Sequence, residues 1–284
     1  MNRQKRVAAI HDLSGFGKCS LTVALPILSS AGIEVCAVPT AVLSSHTGGL
    51  TGYTYCDLTG EIPGFQKQWK QLGLKFDALY SGFLGSYEQI QLVSDFFDAF
   101  RSDSGLVLVD PVMADNGKLY PTITPSIAED MKKLCCKADL IVPNLTEAAF
   151  LLGETYREGP YDRAYIENIM RRLADLGPEL VVLTGVWFHE GLLGAAGYNR
   201  STGAVSYAFS PRVPGSYHGT GDVFASTLLA GLLNGMSLPN AMQLAADFTV
   251  GSIRRTKEAG TDVRFGVNFE AGLPGLIREL GLTD

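Results

Sequence analysis

Leu106-Val107-Leu108-Val109-Asp110-Pro111-Val112-Met113 and Leu140-Ile141-Val142-Pro143-Asn144-Leu145-Thr146-Glu147 decide the fold class. Each is a short run of branched apolar residues that stops at a polar side chain beside a proline. A strand with one wet face alternates apolar and polar residues. A continuous apolar run predicts a strand covered on both faces. Similar runs lie at Arg6–His11, Glu34–Ala41, Phe76–Gly82 and Leu180–Thr184. Between them fall stretches with helical spacing: Ser20–Ala31, Ser86–Arg101, Thr124–Cys135, Thr146–Leu152 and Tyr161–Leu176. The alternation predicts an α/β fold, a three-layer sandwich whose mostly parallel central sheet carries helices on both faces.

The order then changes. Leu192–Asn199 and Val205–Phe209 read as two strands joined by the polar turn Arg200-Ser201-Thr202-Gly203. Helical patterns follow at Thr220–Asn234, Leu238–Glu258 and Phe269–Leu280, while the Gly-, Thr- and Tyr-rich Leu50–Glu61 reads as an excursion from the sheet. No linker composition or internal repeat interrupts the chain, so residues 1–284 are expected to form one domain.

Hydrophobic residues make up 46% of the chain and charged ones 18%, which predicts a packed core rather than disorder. A formal net charge of -6 provides no footprint for nucleic acid or an anionic membrane. An anionic ligand therefore needs a local binding device. The five cysteines (Cys19, Cys36, Cys56, Cys135, Cys136) lack metal-site spacing, and the plain expectation is reduced thiols in a cytoplasmic protein. Val7–Ile10 is too short for a signal-peptide core, and no later apolar run reaches membrane-spanning length.

In open α/β sheets ligands sit beyond the carboxyl ends of the strands. Asp12–Lys18, Ser44–Thr47, Gly82–Gly85, Asp110–Met113, Asn144–Glu147 and Thr184–Gly185 follow predicted strands. Gly219-Thr220-Gly221-Asp222 is the sharpest signal, because it opens the apolar helix Val223–Leu233. Glycines let successive N–H groups converge, and a helix N-terminus adds positive potential, so the turn forms a cradle for a phosphoryl group. Asp222 there could accept a hydroxyl proton from an attacking substrate. The plain alternative is that Thr220 or Asp222 only caps the helix. Asp110, with Asn144 and Glu147, brings oxygen ligands suited to a hydrated Mg²⁺ to one sheet edge. Alone, Asp110 reads as a turn residue and Glu147 as a first-turn acid.

Gly15-Phe16-Gly17-Lys18-Cys19-Ser20 resembles a dinucleotide fingerprint, but Ser20 stands in place of the third glycine. Nor is it a Walker A loop, since Lys18 precedes Cys19. His46 follows the second strand and is placed to touch a ligand. His11, His189 and His218 carry no metal or triad spacing.

Taken in order, these segments resemble the pyridoxal kinase family of the ribokinase superfamily over nearly the whole chain. The matching stretches are Asp12–Gly17, Pro39–Thr47, Ser81–Gly85, Asp110–Met113, Asp115–Tyr120, Pro143–Glu147 and Gly219–Asp222. The resemblance implies phosphoryl transfer from MgATP to the 5′-hydroxymethyl group of a vitamin B6 vitamer. It makes Asp222 the base and the Gly219, Thr220 and Gly221 amides the anion hole. Asp110, Asn144 and Glu147 would organise Mg²⁺ through water, and Thr184 and Thr220 would lie by the ATP phosphates. Asp12, Thr40, His46, Phe83 and Tyr120 would line the acceptor pocket beneath an Asp115–Tyr120 flap. It also implies a cytoplasmic homodimer and admits K⁺ as a further cofactor. Asp12 stands where many relatives carry Ser, and Phe83 where many carry Tyr. An Asp12 carboxylate is expected to favour a protonated partner such as pyridoxamine. The alternatives are hydroxymethylpyrimidine kinase, a sugar kinase, or a non-catalytic B6-binding regulatory protein.

Overall fold

Val7, Ala8, Ala9 and Ile10 have no polar face to turn to water, and all four are fully buried. In the computed structural model, which describes residues 3–282, this strand is β1 (Arg6–Ser14). The chain continues through α1 (Leu21–Ser30), β2 (Glu34–Leu43), β3 (Tyr55–Asp57), α2 (Ile62–Gln71), β4 (Phe76–Ser81) and α3 (Tyr87–Phe100). Next come β5 (Arg101–Val109), the two-residue strands β6 (Ala114–Asp115) and β7 (Lys118–Leu119), α4 (Pro125–Cys135), β8 (Leu140–Ile141) and α5 (Leu145–Leu152). The remainder is α6 (Arg163–Ala174), β9 (Leu180–Val186), β10 (Leu192–Asn199), β11 (Val205–Pro211), α7 (Thr220–Leu233), α8 (Leu238–Glu258) and α9 (Leu273–Glu279).

Nine strands form one sheet in the order β11-β10-β9-β8-β5-β4-β1-β2-β3. The pairings from β2 across to β9 are parallel; β3, at one edge, and the β10–β11 hairpin, at the other, are antiparallel additions. Side chains of successive residues alternate between two cores. Val181 and Leu183 of β9 join α2 to α6, and Val182 joins α1, α7 and α8. Both faces are dry, which accounts for the unbroken apolar runs.

Three local departures from the sequence reading have physical causes. Helix α2 is assigned no element from the sequence: it has only Ile62, Phe65 and Trp69 on its core side, and Pro63-Gly64 punctuates its first turn. Its Trp69 nevertheless packs against Phe76, Phe96 and Phe100. Strand β5 begins at Arg101, ahead of the apolar run, on polar residues that pair with β4 through an irregular register. The expected terminal helix Phe269–Leu280 is a 3₁₀ turn at Glu270–Gly272 followed by α9. Among the described residues no helix is long and apolar enough to cross a membrane.

Candidate active site

The carboxyl ends of β1, β4, β5, β8 and β9 open on one edge of the sheet. On β1, pairing with β2 shifts between His11 and Leu13, so Thr40 and Ala41 stand opposite the single residue Asp12. Pro39, paired with His11, has no N–H to continue the ladder. Such a bulge re-aims side chains. Asp12 and Thr40 are both buried. Asp12 Oδ1 accepts a 2.5 Å hydrogen bond from the Ser20 hydroxyl, and Oδ2 a 3.2 Å bond from the Ser14 hydroxyl. Burial raises the pKa of Asp12, while the two serine hydroxyls oppose that rise.

The glycine turn is forced by its surroundings. Gly219 has φ +74, and a Cβ there would lie 2.0 Å from the Lys18 carbonyl oxygen. No side chain caps α7: its N-cap is Gly219, which has none, and the Thr220 hydroxyl donates to the Tyr217 carbonyl. The capping alternative for Thr220 and Asp222 therefore does not describe this turn. Gly221 is exposed and Asp222 partly so, and the first-turn N–H groups of α7 have no intrahelical acceptor. Burial of its surroundings raises the Asp222 pKa from 3.8 to about 7; the Ser20 N–H opposes the shift and the Asp12 charge adds to it.

Asp110 follows β5. Its pKa is raised well above the carboxylate range, first by burial and then by the Glu147 and Asp222 charges. Among the described residues no Lys or Arg forms an ion pair with Asp12, Asp110, Glu147 or Asp222. Buried carboxyls without a cationic partner are held towards their neutral form, which a nearby cation would reverse. No three His, Cys, Asp or Glu side chains among the described residues are grouped as a direct metal cage. A magnesium ion held through water and phosphate oxygens fits such a site; a fully protein-ligated ion does not.

Asn144 and Glu147 form a reciprocal cap on α5. Asn144 Oδ1 accepts from the Thr146 and Glu147 N–H groups at 2.8 and 2.9 Å, and Glu147 Oε2 accepts from the Asn144 N–H at 2.8 Å. Glu147 Oε1 accepts from the Met113 N–H at 3.1 Å, and Asn144 Nδ2 donates to the Ala114 carbonyl at 2.9 Å. The Thr146 hydroxyl accepts from the Gly117 N–H at 3.0 Å. The cap thus anchors the β6–β7 hairpin, whose Asn116 and Gly117 both have positive φ. Thr184 lies beside Asn144, its N–H donating to the Pro143 carbonyl at 2.9 Å.

His46 is buried and both its nitrogens are engaged. Nε2 donates to the Arg264 carbonyl at 2.6 Å, and Nδ1 accepts from the Gly48 N–H at 3.0 Å. The imidazole ties three loops together, its edge lying over Gly17. His218 packs against it with ring centroids 5.3 Å apart. Phe83 is half-buried near Gly85, and burial raises the pKa of Tyr120, with the Glu147, Asp115 and Asp110 charges adding to it. Lys18 turns away to Glu270 at 2.8 Å and Asn268 at 3.1 Å. Tyr55 on β3 was not singled out from the sequence. Its hydroxyl reaches Gly85, and Asp12 is among the charges that raise its pKa. A lone aromatic in a Gly/Thr-rich stretch gives no pattern that could have marked it.

The doubly covered parallel sheet, the glycine-led helix and the acidic edge beside it define a ribokinase-like small-molecule kinase. The family profile for phosphomethylpyrimidine kinase matches residues 27–266. A Bacteroides thetaiotaomicron candidate phosphomethylpyrimidine kinase, crystallised with pyridoxal, superposes with a TM-score of 0.92 at 42% identity, covering 96% of each chain. Pyridoxal kinase from Lactobacillus plantarum superposes at 0.89 with 31% identity, covering 97% of this chain and 98% of its own. The pyridoxal kinase of Granulibacter bethesdensis is 28% identical over 259 residues, covering 86% of each chain. The chain belongs to the phosphomethylpyrimidine and pyridoxal kinase family of the ribokinase superfamily, and to its pyridoxal kinase branch.

Proposed function

We propose that the protein transfers the γ-phosphoryl group of MgATP to the 5′-hydroxymethyl group of a vitamin B6 vitamer. The observation that carries this reading is Asp222, with a pKa near neutrality, on the first turn of an uncapped helix led by Gly219. A base poised near 7 can take the hydroxyl proton as the oxygen attacks, and the N–H groups of Gly219, Thr220 and Gly221 would stabilise the charge on the transferring phosphoryl group. Asp110 would hold Mg²⁺ through water, and Glu147 and Asn144 would support it by fixing the β6–β7 hairpin beside the site. The ion would neutralise phosphate charge and orient it for in-line attack. Thr184 and Thr220 lie on the nucleotide side.

On the acceptor side, Asp12, Thr40, Phe83 and Tyr120 bound the ring pocket, and His46 shapes its wall through the loops it joins. The pyridoxal bound by the Bacteroides relative supports a pyridine acceptor. The family description favours a second reading, phosphorylation of hydroxymethylpyrimidine by the same chemistry. ADP release from MgATP, measured with pyridoxal, pyridoxamine, pyridoxine and hydroxymethylpyrimidine side by side, separates the two. Turnover with the B6 vitamers is expected; turnover with the pyrimidine alone would replace the acceptor and keep the mechanism.

A further inference from the structure

Ser20 breaks two local rules at once. Its backbone has φ +51 and ψ -129, a conformation suited to glycine. Among the described residues the only other non-glycine with positive φ is Asn116, in an Asn-Gly hairpin turn where that conformation is ordinary. Ser20 is also the N-cap of α1, where a serine oxygen normally accepts from the first-turn N–H groups. It makes no such bond, and α1 has no side-chain cap.

The hydroxyl is committed elsewhere. It donates to Asp12 Oδ1 at 2.5 Å, the shorter of the two hydrogen bonds made to that carboxylate. The Ser20 backbone N–H faces the Asp222 carboxylate. One residue in a strained conformation thus bonds one acid and turns its N–H towards the other, and the two acids come from strand β1 and helix α7, far apart in sequence. Strain of this kind persists only where the surrounding structure over-determines it, and it gathers at functional sites.

We infer that Ser20 is a positioning residue, whose hydroxyl and amide hold the Asp12 and Asp222 carboxylates side by side and aimed at one acceptor. The inference rests on the reading of Asp222 as the base and Asp12 as a vitamer contact. The hydroxyl fixes the rotamer of Asp12 against a like-charged neighbour, and the amide keeps Asp222 at the mouth of the glycine turn. Glycine would satisfy the backbone better than serine, so stability alone does not account for the hydroxyl.

That asymmetry supplies the test. Ser20→Gly and Ser20→Ala of the full chain are compared with wild type by thermal melting and by steady-state kinetics with pyridoxamine and pyridoxal at saturating MgATP. Ser20→Gly relaxes the backbone and is expected to melt at or above the wild-type temperature. Its kcat should nevertheless fall about tenfold, the scale of a hydrogen bond to a charged group, with KM for MgATP unchanged. Its preference between amine and aldehyde should narrow. Ser20→Ala keeps the strain without the bond, and should melt lower with the same kinetic loss. Wild-type kcat and preference in Ser20→Gly would overturn the inference, as would a loss no larger than its loss of folded protein. Asp222→Ala in the same assay keeps the two readings apart. If it retains turnover, the base assignment fails; if it is inactive while Ser20→Gly is unimpaired, only the role of Ser20 fails.

Discussion

Asn144 and Glu147 hold each other, the N–H of each donating to the side chain of the other at 2.8 and 2.9 Å. Glu147 also receives the Met113 N–H, so this pair fixes the start of α5 and the base of the β6–β7 hairpin together. Removing its carboxylate leaves the buried N–H of Met113 and the partly buried N–H of Asn144 without acceptors, at about 1–3 kcal/mol for the buried one. Glu147→Ala should lower the denaturation midpoint markedly and raise KM for MgATP. Glu147→Gln, which retains one acceptor oxygen, should lose less on both counts. Equal denaturation curves for Glu147→Ala and wild type would contradict this arrangement.

Gly219 tests whether the turn itself matters. A Cβ at this position would stand 2.0 Å from the Lys18 carbonyl oxygen, and φ is +74. Gly219→Ala must displace the turn, and a shift of about 1 Å in the phosphate cradle can cost roughly 10²-fold in kcat. A variant with wild-type kcat would show that the amides need not be where they are.

The acidic edge gives a signed pH dependence of stability. Asp222 titrates at 3.8 when unperturbed and at about 7 in the fold, so the native state binds the more protons between these values. Its contribution is fully present below about 3.8 and is lost as pH rises through about 7. Asp110 shifts in the same direction. Melting without ligand should therefore show this contribution declining towards alkaline pH, and Asp222→Asn should flatten the decline. Added Mg²⁺ with nucleotide should stabilise more at pH 8 than at pH 5. A pH profile unchanged by Asp222→Asn would count against the shift.

Asp12 is the acceptor-side position with the clearest chemical consequence. A carboxylate oriented by Ser14 and Ser20 should favour the pyridoxamine ammonium over the pyridoxal aldehyde. Asp12→Ser should shift the ratio of kcat/KM for the two by about tenfold towards pyridoxal. An unchanged ratio would assign Asp12 to structure rather than selectivity.

Much of the scaffold is legible in the sequence because parallel strands covered on both faces leave uninterrupted apolar runs. Each of the six runs from Arg6 to Thr184 holds a strand of the central sheet, although only Leu140 and Ile141 of the run Leu140–Pro143 are paired as β8. Helix α2 is not legible, since Pro63-Gly64 mimics a loop and only the aromatic cluster around Trp69 reveals its packing. At the site, the acids can be found from their places after strands, but their partners cannot. Asn144 and Glu147 have the spacing of a capping pair, while their grip on the hairpin depends on long-range hydrogen bonds to Ala114 and Met113. Ser20 is visible only as a missing glycine. Its strained backbone and its reach to Asp12 belong to the tertiary structure, as do both hydrogen bonds that make His46 a loop fastener.

The central claim is that Asp222 is the base of a B6 vitamer kinase. Its most direct test is single-turnover formation of the vitamer 5′-phosphate from MgATP and pyridoxamine, with wild type and Asp222→Ala in parallel. The account predicts one ADP and one phosphate ester per turnover in wild type. It predicts a rate lower by about 10²–10⁴-fold in Asp222→Ala, the range for loss of a general base, with vitamer binding retained. Comparable rates in the two proteins, or no phosphate ester from wild type with any vitamer, would contradict it.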